Sequence, residues 1–346
     1  MANRRWRALL LVLALAMISG PACAVQQYAM TDLGTLGGSE SRAYGVNRFG
    51  QVVGSSQIST GDSHAFLYTP GVGITDLGML GGNLSKAYAI NDAGQIAGWA
   101  GLTQGVGSMR AFLYTPGAGM TNLGTLGGST SNGYGINNSG QVTGYSTLSS
   151  PGSAAFLYTP GSGMANLGTL GNSPAQGNAV NSFGHVVGYS YLPTGGPHAF
   201  LYKPSTGMVD LGIPSSVSYA EGINDSDQVV GWGSNDGFVW TPGIGTIFPF
   251  GFNSKAYDVN NAGQVVGSKG HAFVWTASSG LLDLGTLGGS GSAAYAISSN
   301  GYIAGMSYLG DGSIHATLWT PVPEPGSIFI LASGLTAIFF LRRRGR

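Results

Sequence analysis

One unit recurs seven times along this chain, and that periodicity narrows the fold more than any single motif does. The first copy reads Asp32-Leu33-Gly34, Ala43-Tyr44-Gly45-Val46-Asn47, Gly50-Gln51-Val52-Val53-Gly54 and His64-Ala65-Phe66-Leu67-Tyr68-Thr69-Pro70. The last segment returns from Arg110, Ala154, His198, Asp236, His271 and, degraded, from His315. The Asn-x-x-Gly segment returns at Asn91, Asn137, Asn181, Asn224, Asn260 and, altered, at Ser298; Asp227 replaces its glycine in the fifth copy. Spacings of 44 and 46 residues separate the first three copies, and 36 the closest pair.

Each unit holds four short strand signals. The Ala-Tyr-Gly and Gln-Val-Val-Gly runs are joined by Asn-x-x-Gly, where Asn forms an Asx-turn and Gly takes the positive φ of a hairpin. The His-Ala-Phe-Leu-Tyr-Thr run alternates faces and reaches a last strand through Pro-Gly-x-Gly. No part of the body shows a sustained helical period. Four strands in about 40–45 residues, seven times over, predict an all-β fold: a seven-bladed β-propeller of four-stranded blades over residues 25–321. A β-solenoid is the rival, though its coils are usually shorter. Residues 28–34 precede the first blade and the last unit lacks its final strand, so the N-terminal segment is expected to complete the last blade. The meander puts the Asn-x-x-Gly and Pro-Gly-x-Gly turns on one face. The Gly-Thr-Leu-Gly-Gly connectors and the variable loops 55–63, 100–110, 147–153 and 191–197 fall on the other, where recognition is commonly placed.

The residues that invite chemistry are repeat punctuation. His64, His198, His271 and His315 hold equivalent strand starts, so they should be spread around a ring and not gathered on a metal. His185 replaces the turn Gln and is expected to be exposed. Asp32, Asp76, Asp210 and Asp283 become Asn122 and Asn166 in other copies, which suits a hydrogen-bonding cap better than a general acid. The acids outside that motif, Glu40, Asp62, Glu221, Asp236, Asp258 and Asp311, form no pattern of the kind glycoside hydrolysis needs. Asp225-Ser226-Asp227 is too short for a calcium loop, the Gly-Gly runs lack the Lys-Ser/Thr of a phosphate loop, and Gly288 to Ser292 only approaches a nucleophile elbow. No catalytic residue, cofactor or metal ligand is expected.

The termini carry a second message. Of 14 basic residues seven sit at the ends: Arg4, Arg5, Arg7, Arg342, Arg343, Arg344 and Arg346. The body between holds seven basic against 13 acidic residues, which argues against nucleic acid. Residues 1–24 read as a secretory signal: a basic start, an apolar run over 9–17, and Ala22 and Ala24 at the cleavage position. Cleavage there removes Cys23, the only cysteine. At the other end, residues 326–341 are uncharged and predict a transmembrane helix. Arg342, Arg343 and Arg344 follow as a membrane stop that keeps the body outside the cytoplasm.

Val322-Pro323-Glu324-Pro325 stands directly before that apolar run. The tail 322–346 resembles the PEP-CTERM sorting signal of Gram-negative bacteria, with its Pro-Glu-Pro motif, hydrophobic helix and basic end in order. The resemblance implies an exosortase-type partner, transient inner-membrane anchorage, cleavage near the motif and delivery to the surface or extracellular matrix. The body resembles the HAF family of extracellular repeats through His-Ala-Phe, Asp-Leu-Gly-Thr-Leu-Gly-Gly and Ile-Asn-x-x-Gly-Gln-Val-Val-Gly. Complete His-Ala-Phe triplets stand only at His64, His198 and His271. That resemblance implies extracellular location more than activity. The expectation is a non-enzymatic surface or matrix protein that binds exopolysaccharide or a protein partner through its loops. A glycan-modifying hydrolase or lyase and a purely structural coat component are the alternatives.

Overall fold

The computed structural model describes residues 26–104, 108–234 and 236–323, and in them the repeat becomes twenty-eight strands. Among the described residues there is no helix, and none long and apolar enough to cross a membrane. The signal segment with Ala22 and Ala24, the span 326–341, and Glu324, Pro325, Arg342, Arg343 and Arg344 lie outside them. The repeat body, Ala29–Thr320, forms one compact unit, apart from the two chain ends.

Each repeat folds into one antiparallel meander. The first comprises Gly37–Val46, Val52–Ile58, Ser63–Thr69 and Gly73–Asp76, hydrogen-bonded in chain order. Five more four-stranded sheets follow in the same order. In the seventh, Gly288–Ile297, Ile303–Leu309 and Ile314–Val322 are joined by the N-terminal strand Gln27–Asp32, which pairs with Ile314–Val322. The closure expected from the chain ends is therefore present, and the Leu33 amide adds a bond to the Ala316 carbonyl at 2.9 Å. The first strand of each blade lies against its counterparts on both sides, Gly37–Val46 meeting Gly288–Ile297, so seven inner strands enclose a channel. The body is a seven-bladed β-propeller.

The core lies between blades. Phe112 is fully buried against Ile96, Ala87 and Ile90 of its own blade and Val53 and Ala65 of the one before. The equivalent Phe66, Phe156, Phe200, Phe238 and Phe273 are buried in the same way. Thr317 replaces that phenylalanine in the last blade, and Trp319 beside it is fully buried.

The Asn-x-x-Gly turns do more than reverse the chain. Asn91 Oδ1 accepts from the Ala93 and Gln95 amides at 3.1 and 2.9 Å, the Asx-turn that the sequence predicts. Its Nδ2 donates to Gln95 Oε1 at 2.9 Å and to the Asn137 carbonyl of the next blade at 3.0 Å. The same link to the following blade recurs from Asn47, Asn137, Asn181, Asn224 and Asn260, at 2.9 to 3.2 Å. These side chains are 2–6% exposed, so each inter-blade bond is sheltered from water. At the seventh joint Asn300 Nδ2 donates instead to the Arg48 carbonyl at 3.0 Å.

Strands run deeper than the sequence suggests. Gly37 and Gly38, read as connector, begin a ten-residue strand, and Gly127 and Gly288 do the same. Serine side chains hold this stretch in place: Ser85 Oγ donates to the Gly78 carbonyl and accepts from the Ala65 amide of the preceding blade. The connectors are thus pinned, and the variable loop of the first blade shrinks to residues 59–62.

Candidate functional site

A β-bulge interrupts every inner strand at the same place. In the first blade Ala43 pairs with Gly54 and Gly45 with Val53, which leaves Tyr44 without a partner opposite. The matching shifts fall at Tyr88, Tyr134, Asn178, Glu221, Tyr257 and Tyr295. A bulge turns its extra residue out of the pleat, and here it turns seven side chains into the channel. They line a cavity of about 250 Å³ with the small residues that follow them.

This ring is aromatic on most of its circumference. Tyr44 lies 5.3 Å from Tyr88 and 5.6 Å from Tyr295, Tyr88 4.8 Å from Tyr134, and Tyr257 5.1 Å from Tyr295, centroid to centroid. The Lys86 ammonium rests over Tyr44 and Tyr88 at 4.7 and 5.4 Å. Burial raises the hydroxyls of Tyr134 and Tyr295 well above the usual phenol range, so both stay protonated and can donate. Toward the Asn-x-x-Gly face Val46, Ile90, Ile136, Val180, Ile223, Val259 and Ile297 form an apolar collar. Beyond it the asparagine mouth encloses a second cavity of about 220 Å³. The phenylalanines are core; the tyrosines at the bulges are not.

Glu221 breaks the ring. It stands where five blades have tyrosine and one has Asn178. Its Oε1 accepts from the Trp232 indole at 2.9 Å and its Oε2 from Asn178 Nδ2 at 3.0 Å. Trp232 stacks on Tyr219 at 4.3 Å, with Lys255 Nζ 4.0 Å above the indole. Removal from water pushes the Glu221 carboxyl from 4.5 up to about 7, against the pull of Trp232 and Lys255. Asp258 follows Tyr257 where other blades carry Gly or Ala, and burial pushes it to about 6. Its two oxygens take the Ile297 amide of the next blade at 2.9 Å and the Val259 amide at 2.8 Å.

These placements give a stability prediction. The unfolded chain releases the Glu221 proton near 4.5 and the folded chain holds it to about 7. The resulting stabilisation is complete below pH 4.5 and is lost as the pH rises through 7. Lys255, Asp258, Tyr189, Tyr219 and Tyr257 surround the group, and Asp258 titrates just below it. Glu221→Gln should therefore flatten, without abolishing, the fall in Tm between pH 5 and pH 8. Parallel Tm profiles for the two proteins would show that Glu221 does not set the slope.

The strand-start histidines are not gathered. His64, His198 and His271 each meet the aspartate twelve residues on, Asp76, Asp210 and Asp283, at 2.7, 2.9 and 3.0 Å, and His315 meets Asp32 at 2.9 Å. The other aspartate oxygen caps the Asp-Leu-Gly turn, as from the Gly78 amide at 2.8 Å. Asn122 and Asn166 keep that cap and have no histidine opposite. The exchange of His and Asp together between copies was readable in the sequence. Among the described residues no group of three or more His, Cys, Asp or Glu could hold a metal.

The remaining acids are dispersed. Glu40 pairs with Arg42 at 3.3 Å, Asp62 accepts from Asn83, and Asp311 caps Ser313. Asp236 sits at an isolated bridge to Phe252. His185 is half-buried, contrary to expectation, because its ring bonds Asp227 at 2.7 Å. Asp227 takes φ +57° in place of glycine, accepts from Lys203 at 2.6 Å, and receives the Asn181 Nδ2 that a turn Gln would otherwise bind. One departure from the repeat answers the other.

Residues 321–344 match the PEP-CTERM protein-sorting motif. The motif is that of an exported protein, anchored in the membrane for sorting by exosortase. No curated protein matches the chain. Similar solved structures include TolB from Acinetobacter baumannii, with 12% identity, a TM-score of 0.47 and 82% of this chain covered; the chain spans 65% of that protein. XC5397 from Xanthomonas campestris, described as a gluconolactonase, has 8% identity and a TM-score of 0.45, over 87% of this chain and 96% of that one. AofleA from Arthrobotrys oligospora has 10% identity and a TM-score of 0.43, over 88% and 95%.

Proposed function

We propose that the propeller is a non-enzymatic binding module of the Gram-negative cell surface or exopolysaccharide matrix, and that it holds polysaccharide at the channel mouth on the variable-loop face. The ring of bulge residues carries this reading. Five tyrosine faces with Asn178 and Gln176 beside them offer apolar planes and hydrogen-bonding groups together, which is what a sugar ring presents in return. A glycan array probed with the full-length protein in detergent tests it. Tyr134→Ala should weaken capture about tenfold, about 1.4 kcal/mol, the upper range for one stacked ring. An array on which no glycan is retained rejects the reading and leaves a protein partner or self-association as the role of this face.

The hydrolase or lyase alternative draws on Glu221 and Asp258, two carboxyls lining one channel. Asp258 weakens it, since both its oxygens are engaged by backbone amides and it serves as a clasp between blades. The binding role therefore takes precedence.

The tail acts first in this scheme and is then removed. Replacing Pro323, Glu324 and Pro325 by alanine should leave the protein in the membrane fraction with Arg346 intact by mass spectrometry. The native protein should lose the arginines and pass to the surface or medium. Arg346 retained in the native protein would make the tail a lasting anchor.

A further inference from the structure

The channel contains one feature that neutral sugar binding does not need. Glu221 is a carboxylate inside a ring of tyrosines, held by two neutral donors, Trp232 and Asn178. Among the described residues it forms no ion pair within 4.0 Å. Lys255 is the cation that influences it, and that ammonium lies over the Trp232 ring. Enclosed carboxylates are usually paired or neutralised. Glu221 also occupies a position that the repeat gives to tyrosine in Tyr44, Tyr88, Tyr134, Tyr257 and Tyr295, so the scaffold does not require an acid there.

We infer that the channel takes a single amino-sugar unit of a polysaccharide, with its free ammonium seated on Glu221 and flanked by the tyrosine faces. This rests on the carbohydrate-binding role proposed above and adds the class of sugar. A carboxylate within an aromatic enclosure is the arrangement that recognises a cation, through charge on one side and ring quadrupoles on the others. The volume fits one unit: about 250 Å³ falls below the roughly 300–1,000 Å³ of pockets that enclose larger ligands. An N-acetylated sugar carries no charge to match Glu221 and leaves the carboxylate desolvated for nothing.

Titration calorimetry on the full-length protein in detergent, with three disaccharides of glucosamine, N-acetylglucosamine and glucose, provides the test. At pH 7.5 the glucosamine disaccharide should bind at least tenfold tighter than the other two. Glu221→Gln should cut that preference about tenfold while circular dichroism and Tm show the propeller folded. Acidifying the native protein to pH 5 protonates Glu221 and should erase the preference without any substitution. Equal binding of all three sugars, unchanged in Glu221→Gln, overturns the inference and leaves the carbohydrate role standing. Failure to bind any of them, together with an empty glycan array, overturns both.

Discussion

Gly98→Ala should destabilise the propeller by more than about 4 kcal/mol, an effect that few single methyl groups produce. Gly98 is the last residue of the Gln-x-x-Gly run in blade 2, paired opposite Ala87 where the inner strand bulges. The bulge drives the Lys86 carbonyl toward the Gly98 Cα. A Cβ there would stand deep inside the radius of that oxygen and 2.7 Å from two carbons of the Phe112 ring. Neither neighbour can yield: the carbonyl belongs to a paired strand and Phe112 is fully buried. Gly54, Gly144, Gly188, Gly231, Gly267 and Gly305 meet the same carbonyl in the other blades. Gly117 makes the comparison. It lies in a turn at φ +79° with nothing within 4 Å of a Cβ, so alanine costs only the left-handed backbone, about 1–2 kcal/mol. Thermal melts should separate the two variants by roughly 5 °C or more. Equal shifts would mean that the bulge relaxes and the close approach is not limiting.

Deleting the N-terminal strand Gln27–Asp32 should have an effect of similar size with a different signature. The strand completes blade 7, supplies Asp32 to His315, and leads into Leu33, which is 6% exposed in the core beside Phe66 and Leu318. Its loss frees Leu33 from its tether, putting at risk a burial worth about 2 kcal/mol, and removes several ladder bonds of about 1 kcal/mol each. It also leaves Ile314–Val322 as an open edge able to pair with another molecule. The expected outcome is a lower, broader melt with concentration-dependent association by light scattering. A monomer that melts as the intact protein does would show that the Asn300–Arg48 and Glu40–Ile314 links close the ring unaided.

Blade number and strand order were legible because each is written seven times and the partners of a meander are neighbours in sequence; closure was legible because the strand left over at one end is the strand missing at the other. The turn role of Asn91 was equally plain, since an Asx-turn is local. Its bond to Asn137 was not, because it joins residues 46 apart across a blade interface. The bulges were hidden for a related reason. An extra residue in one strand shows only against the register of the other, so nothing in the sequence marks Tyr44 as a channel residue. Glu221 and Asp258 were noticed as acids outside the pattern, but only ring closure brings them to one channel. The His64–Asp76 pairing could have been found, because Asn122 and Asn166 appear in blades whose histidine is gone.

The single carboxylate in the bulge ring would also set how a guest of the proposed kind is oriented. A ring of seven tyrosines would present a small molecule on its axis with seven interchangeable poses. Choosing one of them is worth RT ln 7, about 1 kcal/mol, which such a ring could not supply. Glu221 gives the channel a direction, so a charged guest of the proposed kind would have one azimuth, and the rest of its chain would leave toward one sector of the loops. What the repeat provides as symmetry, one substitution turns into an address.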